Sequence, residues 1–176
     1  MPSFTYPQAG ATAVLRDQTG SVRRSVPPLP AGYRHLRSRS RLRPGSFPMA
    51  AEAVLTWRMH RAAGARVAAS APRAEAGVLV TVGLGVGPLR IAAPCAVVWA
   101  VDEPDLAGFA YGTLPGHPAS GEEAFLVHRD DDRVWLSVVA FSRPVAPLMR
   151  LAGPLGALAQ RAYAHRLGTA LRRLTR

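Results

Sequence analysis

With 176 residues, 48% of them hydrophobic, the chain can build one domain around one real core and is too short for two ordinary ones. All 22 basic residues are arginine, so a Schiff base, a lysine general base and a Walker lysine on phosphates are excluded. The single cysteine, Cys95, excludes an internal disulfide and a thiolate cluster for zinc or iron–sulfur. A net charge of +11 ordinarily points to phosphates. Here the exclusive use of arginine, together with abundant alanine, reads as codon bias in a GC-rich genome, and nucleic acid is not the expected partner. No run reaches the roughly 18 to 20 apolar residues of a membrane span, and the start of the chain lacks the apolar centre of a signal peptide. The expected location is the cytoplasm; the sequence says nothing of oligomeric state.

In chain order, residues 1–30 are expected to form an irregular lead-in, with Gly10, Gly20 and Val26-Pro-Pro-Leu-Pro30 supplying turn chemistry, and 31–176 a single α+β domain. Arg37, Arg39, Arg41 and Arg43 are spaced by two, which puts them on one face of a strand and Leu36, Ser38, Ser40 and Leu42 on the other. Repelling charges of this kind blunt a solvent-facing strand near a sheet edge. Without interleaved aromatic residues they make a poor stacking surface for single-stranded nucleic acid. Ser46, with Pro48 behind it, starts a helix in which Phe47, Ala51, Val54, Leu55, Met59 and Ala62 keep helical spacing as far as Gly64. His60 falls near its C-terminal end beside Arg58 and Arg61, where cations suit the helix dipole, and is expected on the surface.

From Ala65 to Ser142 the pattern changes to short β-type runs at Arg66 to Ala71, Val78 to Val82, Leu89 to Ala92, Ala96 to Val101, Gly108 to Thr113, Glu123 to Arg129 and Val134 to Phe141. Their short connections predict an antiparallel meander. Asp130-Asp131-Asp132 suits a hairpin turn and lacks the spaced ligands of a calcium loop. Gly83-Leu-Gly85-Val-Gly87 resembles a dinucleotide fingerprint, but Pro88 and Pro94 leave no room for the helix it requires, so a hairpin is expected instead. Pro144 suits the first turn of a helix capped by Ser142, and Gly153-Pro154 interrupts that segment. Leu155 to Arg173 then forms a long helix with Leu155, Leu158, Ala162, Leu167, Ala170, Leu171 and Leu174 along one stripe. The stripe must be buried, and the concave face of a curved sheet is the partner. The expected fold is therefore a curved antiparallel β-sheet packed against a long C-terminal helix, with one shorter N-terminal helix, an arrangement that commonly leaves a pocket.

The segment from Tyr111 to Phe125 stands apart, because it joins two apolar strands yet concentrates an imidazole, two carboxylates, a phenol and a hydroxyl. His117 lies between Gly116 and Pro118, which hold its backbone in a tight turn. Glu122 or Glu123, returning on the next strand, would orient the ring or raise its pKa, the minimum equipment for general acid–base catalysis. Against this stands a purely structural reading in which His117 caps a turn and the glutamates pair with arginines such as Arg143. No cofactor motif is present, and the five histidines show no metal-ligand spacing. Cys95 has no nearby base, and no nucleophile elbow occurs.

Tyr111-Gly-Thr-Leu-Pro-x-His-Pro-x-x-Gly-Glu-Glu-x-Phe125, followed by Ala140-Phe-Ser-Arg-Pro144, resembles the signature of an uncharacterised protein family numbered 0548, found in bacteria and plants. The resemblance extends to Gly10-Ala-Thr12, Gly32-Tyr33, Trp57-Arg-Met-His60 and the terminal helix, and so covers nearly the whole chain. It implies no particular activity. The order of helix, meander and long final helix is also similar to helix-grip proteins, Bet v-like and START-like, whose likeness is one of topology. Together these readings predict a protein that binds an apolar small molecule between sheet and helix, with His117, Glu122 and Glu123 as candidate acid–base residues and Tyr111, Thr113, Phe125, Ser142 and Arg143 as candidate ligand contacts. Arg143 is expected near Glu123 at one sheet end, as clamp or anion holder. The alternative is a non-catalytic interaction module that contacts a protein or an anionic surface through its arginine-rich face.

Overall fold

In the computed structural model, which describes residues 2–16, 28–86, 89–145 and 153–176, a short 3-10 turn at Ala13–Leu15 precedes β1 (Arg34–Arg41), α1 (Phe47–Leu55) and α2 (Arg58–Ala62). There follow β2 (Arg66–Ala69), β3 (Leu79–Val86), β4 (Leu89–Glu103), β5 (Leu106–Thr113), β6 (Ala119–Asp130), β7 (Arg133–Pro144) and a long helix α3 (Gly153–Leu174). The expected loop at Gly20 and Val26, the turn at 87–88 and the stretch 146–152 lie outside the described residues. All seven strands form one antiparallel sheet in the order β1-β7-β6-β5-β4-β3-β2, the meander that the short connections require, with β1 carried across to pair with β7. As the acidic run predicts, Asp130 pairs with Arg133 across a two-residue turn whose Asp131 takes the left-handed conformation (φ 54°).

Each face of the sheet has its own apolar cluster. Phe109, Phe125, Val127, Leu136 and Val138 join α1, α2 and the buried side of α3 (Ala164, Leu167, Ala170, Leu171) on one face. Leu106, Ala110, Leu126, Val139 and Phe141 face the other way, where Tyr6, Leu15 and Leu29 cover them. The described lead-in residues thus form a strap over the outer face. Strand β4 serves both clusters, because its pairing with β5 shifts between Val97 and Trp99. Cys95 and Val97 point inward before the shift, and Trp99 points outward after it.

Several expectations need correction. The runs expected at Leu89 to Ala92 and Ala96 to Val101 are one strand that continues through Pro94. A residue's N–H and C=O leave a strand on the same edge, and the Pro94 carbonyl accepts from Leu114 N (3.0 Å) just past the end of β5. The missing N–H therefore removes no bond to β3. The single helix expected from Ser46 to Gly64 is two, broken where Trp57 adopts φ 65°. A left-handed residue costs about 1–2 kcal/mol, whereas burying an indole contributes on the order of 4 kcal/mol; Trp57 is fully buried, donates to Ala71 O (3.2 Å) and packs edge-on against Phe109. The same break turns His60 inward, so it is not a surface residue but 0% exposed. Pro144 ends β7 instead of starting a helix. The long helix begins at Gly153, two residues before the expected Leu155, with Pro154 in the turn where proline's missing N–H does no harm; the segment that Gly153-Pro154 is expected to interrupt lies outside the described residues. Leu155 and Leu158 are 71% and 62% exposed, so only the later part of the expected stripe is buried.

Candidate functional site

The β5–β6 hairpin places the chemistry. A tight turn closes it, with His117 N donating to Leu114 O (3.1 Å). In its register Tyr111 lies opposite Glu123 and Gly112 opposite Glu122. Neighbouring strand residues point to opposite faces, so the two glutamates part company: β6 begins at Ala119, earlier than the expected Glu123, which brings both onto the strand, and only one turns inward.

Glu122 belongs to the outer face. Its carboxylate accepts from Tyr6 Oη (2.7 Å), Gly10 N (2.8 Å), Thr12 N (3.0 Å) and the Thr12 hydroxyl, and Trp99 Nε1 donates to the same hydroxyl (3.0 Å). It is 2% exposed. These bonds fasten the strap to β6. Gly112, opposite Glu122, has no room for a Cβ because the Tyr6 hydroxyl and the Phe4 ring lie against it.

Glu123 lies on the inner face, in the wall of a cavity of about 510 Å³ between the sheet and the start of α3. Val82, Ile91, Ala93, Cys95 and Ala140 supply apolar wall from the sheet, and Leu155, Ala159 and Tyr163 close it from the helix. Tyr111 Oη donates to Glu123 Oε2 (3.2 Å). Burial pushes the Glu123 carboxyl up to about 7, against the opposing effect of the Tyr111 bond. The Tyr163 hydroxyl is shielded and has no hydrogen-bond partner among the described residues; burial, then the nearby Glu123 charge, raises its pKa. Burial also keeps the Cys95 thiol protonated, which makes it cavity wall and not a nucleophile.

His117 lines the same cavity. Its Nδ1 is 2.9 Å from Ala119 N and 2.8 Å from Ala119 O, so one residue offers a donor to one neutral tautomer and an acceptor to the other. Burial lowers its pKa, partly offset by the Ala119 bond, and the ring is neutral at physiological pH. Thr113 and Ser142 also line the cavity, the former with its hydroxyl bonded to Thr5 Oγ1 (2.6 Å) and accepting from Gly121 N (3.0 Å). Phe125 is fully buried below. Arg143 is not brought to Glu123: Glu123 pairs with Ala140, Arg143 with Ser120, and its guanidinium stacks over Tyr33 (5.3 Å).

Two inner-face residues escape the sequence reading. His60 sits against Phe109, Tyr111 and Phe125, with ring centroids 5.9, 6.2 and 4.7 Å away, and neither ring nitrogen has a partner among the described residues. Burial, and then Arg61, lower its pKa to about 3. Tyr163 was legible from spacing, since it stands four and seven residues before Leu167 and Ala170 on the buried face of α3. Among the described residues no three His, Cys, Asp or Glu side chains converge to hold a metal ion, and no helix is long and apolar enough to cross a membrane.

A curved antiparallel sheet closed by a long C-terminal helix, with a cavity between them, is the helix-grip fold. Solved structures agree, each showing the fold alone at this level of identity. A hypothetical protein, jhp0584, from Helicobacter pylori superposes with a TM-score of 0.64 at 11% identity, over 81% of this chain and 88% of that one. Ara h 8.0201 gives 0.59 at 10%, over 82% and 98%. Norcoclaurine synthase from Thalictrum flavum, in complex with dopamine and hydroxybenzaldehyde, gives 0.55 at 11%, over 81% and 86%. The chain belongs to the family described as Domain of unknown function (DUF1990), whose sequence profile matches residues 5–170. It is also 53% identical over 66 residues to a UPF0548 protein of Deinococcus radiodurans; the match takes in 37% of this chain and only 33% of that relative's length.

Proposed function

We propose that the chain binds an apolar small molecule in the cavity between the sheet and α3, and that His117 and Glu123 supply acid–base chemistry to it. The observation that carries this reading is the cavity itself: about 510 Å³, within the range of small-molecule sites, walled mainly by apolar side chains with a few convergent polar groups. His117 and Glu123 support the chemistry. Both lie in the wall, one as a neutral imidazole and one as a carboxyl that titrates near neutrality, where proton transfer is most effective. Glu122 carries no part of this proposal, because its carboxylate is committed to the strap.

The binding test uses N-phenyl-1-naphthylamine (1-anilinonaphthalene), an uncharged, non-basic apolar probe. Its fluorescence should rise on mixing with the folded chain, and Ala93→Phe, which projects a ring into the cavity, should remove that rise while leaving the circular dichroism spectrum unchanged. Equal fluorescence with the variant would mean the probe sits elsewhere and the cavity reading is wrong. The interaction-module alternative rests on β1, whose arginines are exposed on an edge strand. Arg39 stacks on Trp135 (4.0 Å) and pairs with Asp130 (3.6 Å), an arrangement that favours a solvated sheet edge.

A further inference from the structure

Of the two adjacent glutamates on β6, only Glu123 turns its carboxylate toward the cavity. Among the described residues it has no salt bridge, and its one hydrogen bond comes from a neutral phenol, Tyr111 (3.2 Å). Across from it, α3 contributes the Tyr163 hydroxyl, which has no hydrogen-bond partner among the described residues. An ionised carboxylate withdrawn from water is costly unless it is paired with a cation and hydrogen-bonded. The cavity therefore offers two acceptor groups, one of them a carboxylate without a salt bridge among the described residues, in walls that are otherwise mostly apolar and include Arg34 of β1 elsewhere in the lining.

Resting on the pocket reading above, we infer that the ligand is an amphipathic amine, whose apolar body fills the cavity and whose ammonium group sits between the Glu123 carboxylate and the Tyr163 hydroxyl. An ammonium carries three donors and no acceptor, which suits carboxylate and phenol oxygens together. The Tyr111 and Tyr163 rings beside it add the attraction of an aromatic face for a cation. A ligand acid would bring a second anion to Glu123, and a ligand alcohol would bring it no counter-charge. Because the Glu123 carboxyl titrates near 7 in the empty cavity, pairing with a cation completes its ionisation, and binding at pH 7 releases a fraction of a proton to the buffer.

The test is isothermal titration of the full chain at pH 8 with 2-(2-naphthyl)ethylamine and with the alcohol and carboxylic acid of the same skeleton. The amine should bind at least about ten-fold more tightly than the alcohol, as expected for a charge-assisted bond in a mostly apolar site. Glu123→Gln should bring the amine down to the affinity of the alcohol and leave the alcohol unchanged. Tyr163→Phe should weaken the amine by a few-fold. If the alcohol or the acid binds as tightly as the amine, or if Glu123→Gln holds the amine undiminished, the amine inference is wrong and the pocket reading stands. Binding of the anilinonaphthalene probe without binding of the amine has the same meaning. If neither probe nor any of the three binds, both readings fall.

Discussion

Glu122 and Glu123 are chemically identical neighbours with unrelated work. Glu122 accepts four hydrogen bonds that hold residues 6–12 to the sheet. In Glu122→Gln one oxygen becomes an NH2 donor facing donors, and hydrogen bonds to a charged acceptor give way to weaker ones. The expected loss is about 3 kcal/mol in denaturant unfolding, together with faster amide hydrogen exchange across residues 2–16. Exchange there as slow as in the parent chain would show that the carboxylate does not hold the strap. Glu123 acts through its charge. Its carboxyl keeps its proton to about pH 7 in the folded chain and loses it near 4.5 when unfolded. The folded state thus binds the extra proton between those values, so stability falls as pH rises through that window and stays low above it. Each unit is worth at most roughly 1.4 kcal/mol, less whatever the cavity's own water screens, which sets a ceiling of about 3 kcal/mol. Glu123→Gln should accordingly raise the melting temperature at pH 8 and leave it unchanged at pH 4.

At the scale of elements, the break between α1 and α2 decides what the sheet's inner face contains. Trp57 and His60 both turn inward because of it, and His60 brings two unpartnered nitrogens into an aromatic setting. With a folded pKa of about 3 against 6.5 unfolded, the ionisation of His60 costs no stability above pH 6.5 and progressively more as pH falls toward 3, because the unfolded chain takes up a proton the folded chain refuses. His60→Leu fills similar space without a buried polar atom, so it should gain on the order of 1 kcal/mol at pH 7 and lose less stability than the parent between pH 6 and 4. A variant as acid-sensitive as the parent would place the sensitivity in another group. The break was not legible, because it falls at a tryptophan, without the glycine or proline that marks most helix ends. What local period and turn chemistry could reveal, they did: the arginine face of β1, the aspartate turn and the antiparallel meander. What they could not reveal was set by neighbours. Pro94 fits a strand only because β5 ends beside it, Leu155 stays exposed where the cavity opens beside the start of α3, and the choice between Glu122 and Glu123 depended on β6 beginning at Ala119, before the expected start at Glu123.

At the scale of the molecule, the sheet separates two apolar clusters with different roles. The outer one is covered by the strap, while the inner one is left partly open as a cavity. Much of the surplus of arginine lies on exposed positions such as those of β1, although Arg34 of that strand also reaches the cavity wall. Charge of that kind attracts polyanions through the long-range field alone and is screened as the Debye length shrinks. Retention on heparin at low ionic strength is therefore expected to vanish by about 0.5 M salt, and retention beyond that point would indicate a built anionic interface.

The acidic doublet of β6 carries a consequence for how its sequence motif is understood. A pair of adjacent glutamates beside a histidine looks like one catalytic unit, yet the pleat sends one to the strap and the other to the cavity. If the two have no common partner, their substitutions should be additive: the double variant Glu122→Gln with Glu123→Gln should shift stability by the sum of the single changes, within about 0.5 kcal/mol. The doublet would then record two separate constraints that happen to meet on consecutive residues.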